Sequence, residues 1–301
     1  MKKIHLLVLI GVIVLFSGCT VLSKSQVKNI NAFATTAKSY AYFPSEIVKQ
    51  RAELVLEERL IASIQLPADQ IKRSIDDARK NYLFQQQIAD QMDLSLQLIQ
   101  QYSSLLSKLS SGDFVENLSA NTTELNDNLS GLVKIANSRL PNKIPGTVGT
   151  AITKAIFLVG ARLTKNKQAK ALKEFIPVGD TLIKITVKNL VDVLSKDLAD
   201  LLASDKQKFI NTYTNNILAK ESKVDYSSLN QYLGGLSNYE NLELLRKTCV
   251  EAADKLSIAH SRLNSSIQAK TDLPEIFSET QDLIVSVKEL FKTFSQLTSH
   301  Q

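Results

Sequence analysis

The chain has 301 residues and is mildly basic, with 36 lysines and arginines against 30 aspartates and glutamates and a formal net charge of +6. It contains two cysteines, three histidines and no tryptophan. This composition excludes a disulfide framework, and so few histidines do not suit a histidine-based zinc site or a Ser-His-Asp triad. No GxxxxGK[ST] or GxGxxG motif occurs, so no phosphate-binding loop is predicted. We therefore expect no enzyme activity, no metal, no cofactor and no small-molecule substrate.

The amino-terminal residues carry a targeting pattern. Two lysines precede an apolar run over residues 4–16, which is shorter than the roughly 20 residues that a membrane-spanning helix needs. Ser17 and Gly18 are small, as cleavage by a signal peptidase requires, and Cys19 follows directly. The stretch LFSGC that ends at Cys19 resembles the lipobox of bacterial lipoproteins, with Phe16 where a Leu is usual.

In that family a diacylglyceryl group is attached to the cysteine sulfur, the signal is cut before the cysteine, and the new amino group is often acylated as well. The resemblance implies that residues 1–18 are a cleaved signal peptide, that Cys19 is the lipid attachment site, and that residues 19–24 are a lipidated tether. Thr20 stands where the inner-membrane retention signal of enterobacterial lipoproteins is an Asp. This implies an outer-membrane protein that faces the periplasm, where nucleic acid is not an expected partner. The alternatives are an uncleaved anchor or an ordinary cleaved signal with a chance cysteine.

Apolar residues recur every three or four positions through most of the chain, which is the periodicity of packed α-helices. The clearest run extends from Ile71 to Leu106 in steps that alternate between four and three residues. Such a heptad-like seam is typical of helices that pack side by side. Gln85 and Ser103 interrupt the seam, and we expect them to set its register. Further stripes occupy residues 27–40, 114–140, 242–267 and 273–297.

These patterns predict an all-α fold, and no convincing alternating strand pattern appears. Over residues 25–301 we expect an elongated bundle of long antiparallel helices with heptad-like stripes. Gly112 is predicted to end the long helix that carries the seam, and Gly234–Gly235 is predicted to form a loop between helices. The prolines are predicted to lie at junctions: Pro44, Pro67, Pro141, Pro145, Pro177 and Pro274.

The segment over residues 141–190 differs from the rest because it is rich in glycine, proline, small apolar residues and lysines. We favour a buried central helix with a solvated basic face for this segment. The alternative is a membrane-touching hairpin near residues 144–190, in which the basic cluster meets lipid phosphates. That layout is similar to the α-helical pore-forming toxins related to cytolysin A and the haemolysin BL components. Lys154 interrupts the apolar stretch, and the uninterrupted part is too short to span a bilayer.

The remaining chemistry-bearing side chains favour structural roles. Cys249 falls on an apolar stripe, so we expect a buried and inert thiol. His260 neighbours that stripe, so we expect it at the bundle surface or partly buried, and His300 lies next to the chain end. Three groups of carboxylates could in principle do acid-base work, but each lies in an amphipathic helix where a solvated face is expected. They are Asp76–Asp77, Glu57–Glu58 and Asp197 with Asp200.

The sequence thus predicts a structural or protein-interaction role in the bacterial cell envelope. The membrane would be a partner through acyl chains on Cys19, together with another envelope protein or a further copy of the chain. The alternative function is a membrane-active, pore-forming type of protein that acts through residues 144–190. An enzyme with an unrecognised carboxylate site is the third class considered.

Overall fold

A computed structural model of the protein describes residues 22–111, 131–135, 138, 143–145, 165–219, 225–268 and 276–298. These ranges contain no strand, and the all-α prediction is confirmed. Cys19, the whole signal region, Gly112 and the apolar stretch over residues 146–164 lie outside the described residues. The main helices are α1 (Lys24–Tyr40), α2 (Pro44–Ser63), α3 (Ala68–Ser110), α4 (Lys165–Asp192), α5 (Leu198–Tyr213), α6 (Tyr226–Gln268) and α7 (Ser278–Thr298).

Local sequence signals explain where the first helices begin. Ser23 and Gln26 form a capping box at the start of α1, in which each side chain accepts a hydrogen bond from the other residue's backbone N–H. Pro44 occupies the first turn of α2, where its missing N–H would have no helical partner in any case. Pro67 caps the start of α3, so these two prolines do lie at junctions, as predicted.

The helices pack side by side in alternating directions. Asn31 of α1 accepts a hydrogen bond from Ser110 of α3, whereas Ser63 of α2 lies against Ser74, near the opposite end of α3. The consecutive helices α1 and α2 therefore run antiparallel to α3. Helices α4 and α5 run antiparallel to α6 in the same way, and α6 runs antiparallel to α1.

Two π-helical segments continue the helical run of α4 and α5. The first, Val193–Asp197, joins α4 to α5, and the second, Thr214–Leu218, extends α5. The wider turn of a π segment disturbs the regular i to i−4 hydrogen bonds. Inside the first segment, Nη1 of Arg246 donates to the carbonyl oxygen of Leu194 at 2.9 Å, so a side chain of α6 satisfies this backbone group.

The bundle has two distinct ends, which we call the base and the distal tip. At the base, Nε2 of Gln168 in α4 donates to the carbonyl of Ser111, and Gln26 of α1 donates to Ser266 of α6. At the distal tip, Gln65 in the α2–α3 connection donates to Asn216, beyond α5. Since α3 has 43 residues, these ends are about 65 Å apart.

One continuous hydrophobic core runs through the described helices. The seam predicted in α3 is buried from Ala89 to Leu106, where it faces the other helices. Toward the distal tip the same seam is only partly covered, because Ala78 is 1% exposed whereas Ile75 is 42% exposed. Each helix contributes fully or almost fully buried residues to the core, for example Ile30, Ile47, Leu96, Leu182, Leu202, Leu256 and Leu283.

Pro177 was wrongly predicted at a junction, because it lies inside α4. A proline here lacks the N–H that would donate to the carbonyl of Lys173, four residues earlier. That carbonyl instead accepts a hydrogen bond from Nε2 of Gln268 at 3.1 Å. The neighbouring helix α6 therefore compensates for the bond that the proline removes, and the helix continues.

Gly234–Gly235 was also wrongly predicted, because both glycines lie inside α6. A Cβ atom on Gly235 would lie only 2.8 Å from Cε1 and 2.9 Å from Cε2 of Phe209, whereas one on Gly234 would meet nothing within 4 Å. The buried glycine allows α6 to approach α5 closely, so its role is steric. None of the described helices is both long enough and apolar enough to cross a membrane.

Candidate functional site

A buried polar cluster connects α3, α4 and α6 in the half of the bundle nearer the base. The hydroxyl of Tyr102 lies 2.6 Å from Nε2 of His260, and Nδ1 of His260 lies 3.1 Å from a carboxylate oxygen of Asp180. Because a carboxylate only accepts, Nδ1 carries the proton, and Nε2 accepts from the tyrosine hydroxyl. His260 is fully buried, so the prediction of a surface or partly buried position was wrong. It fills a core position because both of its nitrogens have partners.

Asp180 is the centre of this cluster. It also accepts hydrogen bonds from Oγ of Ser261 at 3.0 Å and from Nζ of Lys184 at 2.6 Å. Burial opposes ionisation of Asp180, but the bonds from His260, Lys184 and Ser261 outweigh it and hold the pKa of this carboxyl well below its usual value. Burial lowers the pKa of His260, and the carboxylate offsets this only in part. The cluster therefore holds a neutral imidazole beside a charged carboxylate.

The geometry of this cluster favours a structural role over catalysis. Ser261 donates to Asp180 and makes no bond to His260, so the three residues do not form a Ser-His-Asp triad. Burial raises the pKa of the Tyr102 hydroxyl well above its usual value, and the charge of Asp180 raises it further, so this hydroxyl is a poor nucleophile. Each polar group has its partner inside the bundle, which fixes the relative positions of three helices.

A second buried polar cluster connects α2, α3 and α5. Nε and Nη2 of Arg51 contact one carboxylate oxygen of Asp205 at 2.8 and 2.6 Å. Nη1 of Arg51 donates to Gln85 at 2.9 Å. Gln85 interrupts the predicted seam for this reason, because its amide accepts a hydrogen bond from a buried guanidinium. Neither cluster was predicted from the sequence, although the residues three and four positions from Arg51 on α2 are all apolar.

Cys249 is buried in the core, as predicted. Burial raises the pKa of its thiol to about 12, so it is a poor thiolate donor at neutral pH. The hydroxyl of Tyr40 lies 3.9 Å from its sulfur and donates to its carbonyl oxygen at 3.4 Å. These contacts place Cys249 in the packing between α1 and α6.

The carboxylate pairs taken from the sequence do not converge on a site. Asp76, Asp77, Asp197 and Asp200 are exposed on their helices. Glu57 and Glu58 point to different neighbours, because Glu58 accepts a hydrogen bond from Thr212 at 2.6 Å and Glu57 lines an apolar groove. Within the described ranges, no three His, Cys, Asp or Glu side chains come together as metal ligands would.

That groove, which we call the distal groove, lies between α2 and α3 near the distal tip. Its volume is about 690 Å³. Its lining is mostly apolar and includes Glu53, Glu57 and Ser63. Burial raises the pKa of both glutamates, and the charge of Glu46 raises that of Glu53 further. Ile64 is 61% exposed beside it. The remaining lining residues are Leu56, Leu60, Ile61, Ile71, Ile75 and Tyr82.

The distal groove exposes part of the predicted seam, although Ala78, a seam position between its lining residues, is buried. Ile71, Ile75 and Tyr82 follow the same spacing as the buried seam positions farther along α3. Apolar side chains that stay exposed along a groove between two helices are typical of surfaces that contact another molecule. The groove is therefore a candidate contact surface.

The base brings together chain segments that are far apart in the sequence. The described chain begins here at residue 22, a few residues after Cys19. Gln168 donates to the carbonyls of Leu109 at 2.8 Å and Ser111 at 3.1 Å, so the residues that flank 112–164 on either side meet at this end. Acylation of Cys19 stays a prediction.

Comparison with known proteins does not assign the chain to a family. No protein-family model matches it, and no solved structure matches it. A protein from Agaricus bitorquis named "Probable DNA-directed RNA polymerase" is 29% identical to the chain over 113 residues. This alignment covers 36% of the present chain and 10% of that protein, so the chain spans about a tenth of the length of this relative.

Proposed function

We propose that the protein is a lipid-anchored helical scaffold of the bacterial cell envelope, with a non-catalytic, protein-binding role. Acyl chains on Cys19 would hold the base against the membrane, and the distal groove would bind a protein. The observation that carries this proposal is the position of Ser23, which caps α1 at the base only a few residues after Cys19. A short tether at this end supports an orientation in which the long axis of the bundle projects away from the lipid.

The dimensions of the bundle suit this role. Two or more acyl chains stabilise membrane attachment by about 0.8 kcal/mol for each buried CH₂ group, which is enough for lasting anchoring. With the base at the membrane, a bundle that contains a helix of 43 residues places its far end about 65 Å from the lipid surface. The distal groove lies near that end, where a partner in the periplasm or in another layer of the envelope could reach it.

The test is metabolic labelling of the full chain with a radioactive fatty acid in a bacterial host, followed by membrane fractionation. We expect label on the wild type and membrane recovery, and neither for Cys19→Ala. Cys249→Ala is the matched control, because the other cysteine is buried in the core and should not affect labelling. Equal labelling of wild type and Cys19→Ala would refute lipid attachment at Cys19.

A second substitution tests the expected membrane. In an enterobacterial host, Thr20→Asp should move the protein from the outer-membrane fraction to the inner-membrane fraction, since the lipobox resemblance implies sorting by this position. Thr20→Ser should leave the protein in the outer-membrane fraction. Recovery of all three forms in the inner membrane would contradict the outer-membrane expectation without affecting the assignment of Cys19.

One observation also favours the membrane-active alternative. Gln168 joins the two flanks of residues 112–164 at the base, beside the proposed tether, and this stretch includes the first part of the apolar and basic segment. The test is dye release from anionic liposomes by the full chain. Release that Lys154→Glu abolishes, and that Lys196→Glu does not, would support this function. Intact liposomes over a range of pH and lipid composition would exclude it and leave the scaffold.

A further inference from the structure

The distal groove presents uncovered apolar surface together with acidic side chains. The side chains of Glu53 and Glu57 make no hydrogen bond or ion pair with any described residue, and lysine and arginine are absent from the lining of the groove. Leu60, Ile64 and Ile75 are exposed by 39, 61 and 42%, respectively. An occupant that matches this surface has an apolar centre and a basic rim.

The opposite face of the same two helices has the complementary charge. Each residue of an α-helix is rotated by about 100° from the one before, so Arg59 lies about 200° around α2 from Glu57, and Arg73 lies about 200° around α3 from Ile75. These arginines line a second depression of about 530 Å³ that also includes Ala62 and Leu66. We call it the basic face.

Two carboxylates, Glu58 and Asp77, also line the basic face against the basic side chains of Arg59, Arg73 and Lys208, and both carboxylates already have partners. Glu58 accepts a hydrogen bond from Thr212, and Asp77 contacts Lys80 at 3.3 Å. By contrast, the guanidinium groups of Arg59 and Arg73 make no hydrogen bond or ion pair with the described part of the chain. The aliphatic stems of these arginines, with Ala62 and Leu66, provide apolar contact area between the two charges.

We propose that the occupant of the distal groove is the basic face of a second copy of this chain. Docking groove to groove would bring four unpaired glutamates together, so a symmetric pair through this surface is disfavoured. Contact between groove and basic face is heterologous, so an open assembly keeps one free groove and one free basic face at its ends. Repetition of this contact produces a closed ring or an open helical array.

The proposal is compatible with the anchored scaffold but does not depend on it. Both faces lie on α2 and α3 at the distal tip, so copies placed side by side would keep their bases at the same end. In that arrangement all anchors would reach one membrane. Self-association through these faces requires neither acylation of Cys19 nor any property of residues 112–164.

The experiment is sedimentation velocity of the full chain in mild detergent over a hundredfold range of concentration. We expect wild type to form oligomers that grow with concentration. Two charge-reversed variants should each stay monomeric, because both faces then have the same sign, with self-affinity lowered about a hundredfold. The first variant carries Glu53→Arg and Glu57→Arg, and the second carries Arg59→Glu and Arg73→Glu.

Mixing the two variants provides the decisive step. The distal groove of the first variant is then basic and can bind the face that the substitutions made acidic in the second variant. The groove of the second variant stays acidic and can bind the unchanged basic face of the first. The mixture should therefore associate. The matched control is Glu251→Arg with Asp254→Arg, which reverses two exposed charges on α6 and should associate like wild type. Circular dichroism of each variant confirms that the helices remain.

Three results would overturn the proposal: monomeric wild type over the whole range, oligomers of either variant like those of wild type, or a mixture that stays monomeric. Each of these is compatible with acylated Cys19, so failure here is separate from failure of the proposed function. A wild type that associates but lacks the acyl group would refute the anchor and leave this inference intact.

Discussion

Two adjacent glycines in α6 allow the close approach of α5 to be tested by a single added methyl group. Gly234 is exposed, and a Cβ atom there would have no neighbour within 4 Å. Gly235 is buried, and a Cβ atom there would overlap the ring of Phe209. Gly234→Ala and Gly235→Ala make the same chemical change in the same helix, so only the packing differs.

The magnitudes follow from two opposing effects. Alanine in a helix interior is more stable than glycine by about 0.5–1 kcal/mol, and both variants gain this. At Gly235 the ring of Phe209 must move, but it is 2% exposed and packs against Tyr232 and Tyr239, with ring centroids 6.1 and 5.7 Å away. Overpacking of this kind costs about 1–3 kcal/mol. We expect Gly234→Ala to stabilise the protein and Gly235→Ala to destabilise it, with a difference of about 1–3 kcal/mol.

The assay is urea unfolding of the full chain followed by far-ultraviolet circular dichroism. The urea midpoint should rise for Gly234→Ala and fall for Gly235→Ala, with an unchanged slope in both cases. Phe209→Leu should reduce the effect of Gly235→Ala, because a smaller side chain leaves room for the methyl group. Equal rises in midpoint for the two alanine variants would refute the steric role of Gly235.

Further predictions concern the buried polar groups. Asp205→Ala should lower the free energy of unfolding by about 3–5 kcal/mol in urea titration, because it leaves the guanidinium of Arg51 buried without its carboxylate. Adding Arg51→Met to this variant should recover part of the loss. Stability should fall as the pH falls below about 6.5, because unfolding lets His260 bind a proton that its lowered pKa excludes in the folded state. His260→Gln should flatten this pH dependence. An unchanged dependence in that variant would contradict the assignment to His260. The depressed pKa of Asp180 should remove further stability below about pH 3.9, which the same titration extended to acid pH would detect. Cys249 should react with a thiol reagent only at the rate of unfolding, so fast labelling of the native protein in a stopped-flow assay would disprove its burial.

Helix positions could be predicted where the local pattern was sufficient. The long helix from Ala68 to Ser110 carries an unbroken heptad-like spacing, and its start follows Pro67. Burial of Cys249 could be predicted in the same way, because its stripe is apolar on both sides. The two errors, at Pro177 and at Gly234–Gly235, have a common cause. Proline and glycine both disfavour a helix locally. At Pro177, Gln268 of the neighbouring helix compensates for the missing hydrogen bond. At Gly235, the missing side chain lets the neighbouring helix approach closely.

The polar clusters could not be predicted because their members are far apart in the chain. His260 and Asp180 are separated by 80 residues, and Arg51 and Asp205 by 154. A charged or polar residue in an amphipathic helix is usually exposed, and only the bundle brings each partner within hydrogen-bond distance. Helical periodicity alone places Glu57 and Arg59 on opposite sides of α2, whereas the accessibility of both sides depends on tertiary packing.

The sequence by itself determined that the chain is helical, where most helices lie and which of their faces are apolar, since these properties depend on residues three or four positions apart. It also contains the lipobox-like pattern at Cys19, on which the expected location of the protein depends. Only the tertiary structure decided that the seam of α3 is buried near the base and only partly covered near the distal tip. The physical reason is that the periodicity of a stripe is a property of one helix, whereas its burial depends on how closely the neighbouring helices pack against it.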